Sequence, residues 1–312
     1  MAVNSKPPLA LIAGPTASGK SALALVLAER TGGTIINADS AQIYHDLPIL
    51  SAAPTGSDRE RAEHRLYGIM DGALPCSAAD WAVLARREID DIHAAGRLPI
   101  LAGGTGLYLR TLLDGIAPVP EIAPEVRRAV RETPVEENHA RLGKLDPEAA
   151  ARLNPADTTR IARALEVVVS SGRPLREWQQ QRKGGIGDRV AVKPLILLPP
   201  RDWLYARCDQ RFAGMIEGGA VGEVKALLTR NLSPKAPVMR AIGVREIASH
   251  LRGESSLKEA IAAGQQATRN YAKRQYTWFA HQPPEEWPRF REIPCPVRAE
   301  LVEALSFVQS TH

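Results

Sequence analysis

The stretch LALIAGPTASGKSALALVLAERTGG, Leu9 to Gly33, decides the fold. It opens with an uninterrupted apolar run of strand length. It closes with KSALALVLAER, whose apolar residues recur at helical spacing and stop at Gly32-Gly33. Between them Gly14, Pro15, Thr16, Ala17, Ser18, Gly19, Lys20 and Ser21 match G-x-x-x-x-G-K-[ST], in the strand-to-helix context that makes this pattern credible. Glycines let the backbone bend so that successive N–H groups converge on phosphate oxygens. The helix N-terminus adds partial positive charge. These residues are therefore the candidate diphosphate ligands. Lys20 would neutralise the diphosphate, and the Ser21 hydroxyl is the candidate ligand for Mg2+.

Outward from this loop the same rhythm continues. TIINAD is a second short strand ending at Asp39, followed by a polar loop region to about Pro75. SAADWAVLARREIDDIHAAGR reads as a helix with Ser77 as N-cap and Gly96 closing it. LPILAGGTG is a third strand running into a glycine turn. Alternating strands and helices with glycines at the strand ends predict an α/β fold, a P-loop NTPase-like parallel sheet flanked by helices. The prolines at 118, 120 and 124 mark a boundary, after which the pattern is helical without a convincing strand until RKGGIGD. VKPLILLPP then restores a buried strand. The expected organisation is a first part of the core at 1–120, an inserted all-helical domain at 121–186, completion of the core at 187–282, and a tail at 283–312 with no assigned function.

Composition narrows the partners. No apolar run approaches the roughly 18 residues that span a bilayer, so no membrane segment is expected. The opening run is better spent as a strand than as a signal peptide. Cys76, Cys208 and Cys295 are scattered, which fits a reducing cytoplasm and neither a disulfide framework nor a zinc site. The net charge of +5 is uneven. From Arg201 to Ala280 there are 13 Lys and Arg against 7 Asp and Glu, whereas the remainder holds 27 against 28. A basic third on a near-neutral body suggests a polyanionic partner, although a solvated helical surface has the same composition.

The loop indicates a diphosphate without indicating hydrolysis. Common P-loop hydrolases also place an Asp at the end of an apolar strand to hold Mg2+, but LPILAGG ends in Gly103-Gly104-Thr105. The strand-end carboxylate is Asp39, which could take a proton from an acceptor or fix it in line with the donor. The alternative is a cap on a helix beginning at SAQIY. On residues alone, a kinase and a diphosphate-displacing transferase remain tied.

A set of motifs breaks the tie. GPTASGKS, NADSAQIYHDL, SAADW, LPILAGGTGLYLRTLLDG, RIARALEV, MRAIGVRE and AKRQYTWF occur in this order, from about Leu9 to Phe279. The chain resembles the bacterial tRNA dimethylallyltransferases, also called tRNA isopentenyltransferases. The resemblance implies transfer of a prenyl group from dimethylallyl diphosphate to N6 of the adenine next to the anticodon, so that the loop would hold a diphosphate released as pyrophosphate. It implies Asp39 as general base, Thr105 beside the reacting groups, and Arg207 of LYARCDQRF on the diphosphate. It places tRNA contacts at Asp39, Ser40, Ala41 and Gln42, at Thr105 and Arg127, at Thr159, Arg160, Ile161, Ala162 and Arg163, and at Arg240, Ala241, Ile242, Gly243, Val244 and Arg245. The partners implied are a tRNA anticodon stem-loop and dimethylallyl diphosphate, with Mg2+ as cofactor and the protein a cytoplasmic monomer.

Two segments depart from the family pattern. ILSAAPT (49–55) stands where many members carry a GTAKP-like stretch, and EHRLYG (63–68) keeps His64 but lacks the aspartate of HHLxD. His64 would position substrate or serve as a hydrogen-bonded structural histidine. The aromatic residues of RQYTWFA are expected in the core of the last helix. Competing readings are an adenylate isopentenyltransferase acting on free nucleotides, a small-molecule kinase, and a non-catalytic RNA-binding protein. The helical insertion and basic third favour tRNA over a free nucleotide, and Lys20, Ser21 and Asp39 together favour catalysis over binding alone.

Overall fold

The computed structural model describes residues 6–293. Residues 294–312, which hold Cys295 and most of the expected tail, lie outside the described residues, as do 1–5. The chain forms two compact units, one made of residues up to Leu112 and from Ile186 onward, the other of Leu113–Gly185.

The first unit is built on a six-stranded sheet in the order β3-β2-β4-β1-β5-β6, with every pairing parallel. Its strands are β1 (Pro8–Ala13), β2 (Thr34–Asn37), β3 (His64–Arg65), β4 (Pro99–Gly103), β5 (Ala191–Leu197) and β6 (Arg289–Phe290). Helices α1 (Lys20–Thr31), α2 (Gly56–Arg61), α3 (Ala78–Ala94) and α4 (Gly106–Asp114) belong to the first stretch of chain. Leu9–Ala13 are wholly buried, and β1 packs with Leu23, Leu27, Ile100 and Leu197 in one apolar cluster. Each fully buried Leu or Ile contributes about 1.5–3 kcal/mol. The sheet centre therefore holds the unit, which frees the strand ends for polar work. The expected cap on α3 is present: Ser77 Oγ accepts from Asp80 N, and the Asp80 carboxylate accepts from Ser77 N at 2.9 Å.

The polar stretch before Pro75 is not only loop. It contains α2, capped by Thr55, and the edge strand β3. The described part of the tail likewise supplies β6, paired to the end of β5. All three elements are too short to carry an apolar period.

The second unit contains α5 (Pro124–Glu132), α6 (Val135–Leu145), α7 (Pro147–Arg152), α8 (Thr158–Ser171) and α9 (Leu175–Gln179). Val130, Leu142, Ile161 and Leu165 form its core. An isolated antiparallel bridge between Ile116 and Lys183 draws its two ends together. After β5 the first unit resumes with α10 (Arg201–Met215), α11 (Val221–Thr229), α12 (Val244–Leu251) and α13 (Leu257–His281). A five-residue π-helix, Ile216–Ala220, joins α10 to α11. Among the described residues no helix is long and apolar enough to cross a membrane.

Candidate active site

The phosphate-binding loop runs from the end of β1 to the start of α1. Gly14 passes against the end of β5 so closely that a Cβ would stand 2.4 Å from Leu197 O. Ala17 (φ 62°) and Gly19 (φ 93°) bend the loop through left-handed backbone. A non-glycine residue in that conformation is a strain found at ligand-binding turns. Ser18 is buried, and its hydroxyl has no protein partner. Lys20 is buried and donates to Pro15 O at 2.6 Å. Burial pulls its pKa down to about 8, against an opposing pull from Asp39, with Arg211 lowering it further.

Helix α10 lays two arginines on this loop. Arg207 Nε donates to Ala17 O at 3.3 Å, with its guanidinium 4.9 Å from the centroid of the Trp203 ring. Arg211 donates to Thr16 Oγ1. Burial holds the Arg211 pKa below its usual range, partly offset by Cys208 and Asp39. Arg211 is absent from the sequence-based site. The signal was its spacing, one helical turn after Arg207 and hence on the same face.

Asp39 lies two residues beyond β2, held by Asn37. The fully buried Asn37 side chain accepts from Asp39 N at 2.7 Å and donates to Asp39 O at 3.0 Å. Trp81 Nε1 donates to Asn37 O at 2.9 Å. Asp39 Oδ1 accepts from Ala41 N, closing a local turn, and residues 40–43 form no helix for it to cap. Thr105 sits beside it: Thr105 N donates to Ala38 O, and Thr105 Oγ1 accepts from Ser40 N at 2.9 Å. Burial, with the Asp39 charge nearby, pushes up the phenol of Tyr271 on α13.

One cavity of about 380 Å³ brings Thr16, Asp39, Ser40 and Ala41 together with Arg211, Arg240, Ala241 and Ile242. Phe212, Met215, Leu47 and Leu50 give it an apolar side, and Thr268, Tyr271 and Arg274 enter from α13. That three-residue spacing within a helix was the signal for the α13 contribution. A second cavity on the first unit is lined by Ser21, Gln42, Asp58, His64 and Tyr67. Ser21 thus lies on a different cavity from Asp39, and the Gln42 amide is already bonded to Ser51 O and Ala52 O. His64 Nδ1 meets Ala62 O at 2.9 Å and its ring stands edge-on to Tyr67, so its contacts within the fold are structural. Gly243 and Val244 are buried, whereas Arg240 and Arg245 are exposed. In the second unit Ile161 and Ala162 belong to the core, and Arg127, Thr159, Arg160 and Arg163 are exposed. Phe279 is fully buried as expected, while Tyr276 reaches Leu198 O.

A cradle flanked by three cations and sharing its surroundings with a fixed carboxylate can hold a diphosphate and accept a proton from a neighbouring acceptor. The chain is similar to known enzymes over most of its length. The tRNA dimethylallyltransferase of Sphingopyxis alaskensis is 63% identical over 285 residues, 91% of this chain and 93% of that protein. That of Zymomonas mobilis is 55% identical over 282 residues, covering 90% of each. The crystal structure of the full-length tRNA isopentenylpyrophosphate transferase from Bacillus halodurans superposes with a TM-score of 0.70 at 32% identity, covering 97% of this chain and 96% of that one. A eukaryotic dimethylallyltransferase captured acting on tRNA gives 0.74 at 29% identity, over 87% of this chain and 69% of that one. The family model described as IPP transferase matches residues 42–282, and the chain belongs to that family.

Proposed function

We propose that the chain transfers the dimethylallyl group of dimethylallyl diphosphate to N6 of the adenine 3′-adjacent to the anticodon in tRNA, acting as a cytoplasmic monomer. The observation that carries this reading is the cavity shared by Thr16, Arg211 and Asp39. The N6 lone pair forms a bond to C1 of the prenyl chain. The C1–O bond breaks, and its electron pair leaves with pyrophosphate. Asp39 takes the N6 proton as the C–N bond forms, since an amine N–H is too weak an acid to ionise first. Lys20, Arg207 and Arg211 stabilise the charge that develops on the leaving group. Thr105 positions the reacting groups beside Asp39. The target base must leave the anticodon stack to reach this depth.

A divalent cation, Mg2+ in this proposal, fits the residues present. Ser21 offers a hard oxygen donor at the start of α1, and the orphaned Ser18 hydroxyl leaves the loop with spare polar capacity. Among the described residues no group of three or more His, Cys, Asp or Glu would hold a metal unaided, which suits an ion held largely by phosphates. When bound, it would neutralise part of the diphosphate charge. Arg127, Arg160, Arg163, Arg240 and Arg245 are exposed and available to tRNA phosphates.

The test is incubation with Mg2+, labelled dimethylallyl diphosphate, and either unmodified tRNA or AMP. Label entering tRNA alone is expected, and Asp39→Ala should lower kcat by about 10²–10⁴-fold with tRNA binding kept. Label in AMP alone would move the acceptor to free nucleotides, and unchanged turnover of the variant would remove Asp39 from the mechanism.

A further inference from the structure

We infer that Gln275 is a positioning residue for this transfer, tying the phosphate-binding loop to the Gly104-Thr105 turn and so fixing the spacing between the donor and acceptor sides of the site. The inference rests on the proposed reaction. Gln275 lies on α13 and is 6% exposed. Its Oε1 accepts from Thr16 N at 2.7 Å, and its Nε2 donates to Gly104 O at 2.8 Å. Both ends of one carboxamide are therefore spent on backbone groups of two different loops, and each partner fixes which end is oxygen.

Those loops are the two that carry the reacting groups. Thr16 lines the cavity and accepts from Arg211. Thr105, next to Gly104, accepts from Ser40 N beside Asp39. A continuous series of bonds thus runs from the diphosphate side to the general base, with Gln275 as its middle link. The link is closely packed: a methyl on Gly104 would stand 2.4 Å from Gln275 Nε2, which would have to move to admit it. Helix anchoring alone would be served by an apolar side chain of the same length. The carboxamide adds two directional bonds, and a shift of about 1 Å between reacting atoms costs on the order of 10²-fold in rate.

The experiment measures steady-state transfer from dimethylallyl diphosphate to unmodified tRNA by the full chain, its Gln275→Leu, Gln275→Ala and Gly104→Ala variants, and the double variant Gln275→Ala with Gly104→Ala. Folding is checked by circular dichroism, and active protein is counted by stoichiometric tRNA binding. Each single variant should lose about 10–100-fold in kcat, with both KM values within about 3-fold of the parent. The double variant should be no worse than the poorer single one, because the same link is broken twice. Unchanged kcat in folded Gln275→Leu would overturn the inference, as would raised KM with kcat intact, or losses that simply multiply. A parent chain that transfers nothing to tRNA would instead overturn the proposed function, and the inference with it.

Discussion

Lys20 sits where its charge is costly and where the proposed diphosphate would need it. Burial brings its pKa to about 8, and a diphosphate selects the charged form. Pyrophosphate affinity should therefore be highest below pH 8 and weaken by up to about tenfold per unit above it. Calorimetric titrations between about pH 7 and 9.5 would show this slope. Lys20→Met should bind weakly with no such slope, and an equally steep one would assign the titration elsewhere. For folding the sign is opposite: the unfolded chain holds the extra proton between about 8 and 10.5, so this group's contribution to stability rises with pH across that window. Lys20 and Asp39 were legible because each stands in a short contiguous motif. Asn37, Arg211 and Gln275 were not, since their work depends on partners such as Thr16, 259 positions from Gln275.

At the scale of elements, α10 and α13 press together at Gly264, where a methyl would stand 2.1 Å from Phe212 Cζ. Gly264→Ala should destabilise by about 1–3 kcal/mol through overpacking. Scanning calorimetry should show a Tm lower by roughly 2–6 °C. Because Arg211 precedes Phe212 on the same helix, pyrophosphate affinity should fall in parallel. A Tm equal to the parent's would mean that the two helices repack without cost. Long elements such as α1 and α3 announced themselves by apolar spacing and by their ends, Ser77 and Gly96 among them. Elements fixed by single interactions did not. Helix α2 is GSDRER, held by the Thr55–Asp58 capping box and by Arg61 on Glu29. Strand β6 is two residues added to the end of β5. Neither pattern can be told from loop without its partner.

For the whole molecule, the proposal that tRNA contacts the basic stretch 201–280 and the exposed arginines of the second unit carries a quantitative expectation. The logarithm of affinity should fall linearly with that of salt, by about 0.7–0.9 per phosphate contacted. About five contacts would lose on the order of 10²-fold between about 50 and 200 mM. Arg127→Ala combined with Arg163→Ala should reduce that slope by nearly two while leaving pyrophosphate binding intact, and an unchanged slope would free both residues from the interface. The chain leaves the first unit at Leu112 and returns at Ile186, whose N–H donates to Leu112 O at 3.0 Å. Strand β1 pairs with β4 before this excursion and with β5 after it. At translation rates of about 5–20 residues per second, the second edge of β1 waits on the order of 5–20 s for its partner to be made. An open, apolar strand edge is a template for wrong pairing. The length of the inserted unit is therefore also a delay, during which the nascent sheet depends on whatever shields β1. If that delay matters, slowing elongation across 113–185 should lower the soluble yield without changing the Tm of the protein that survives.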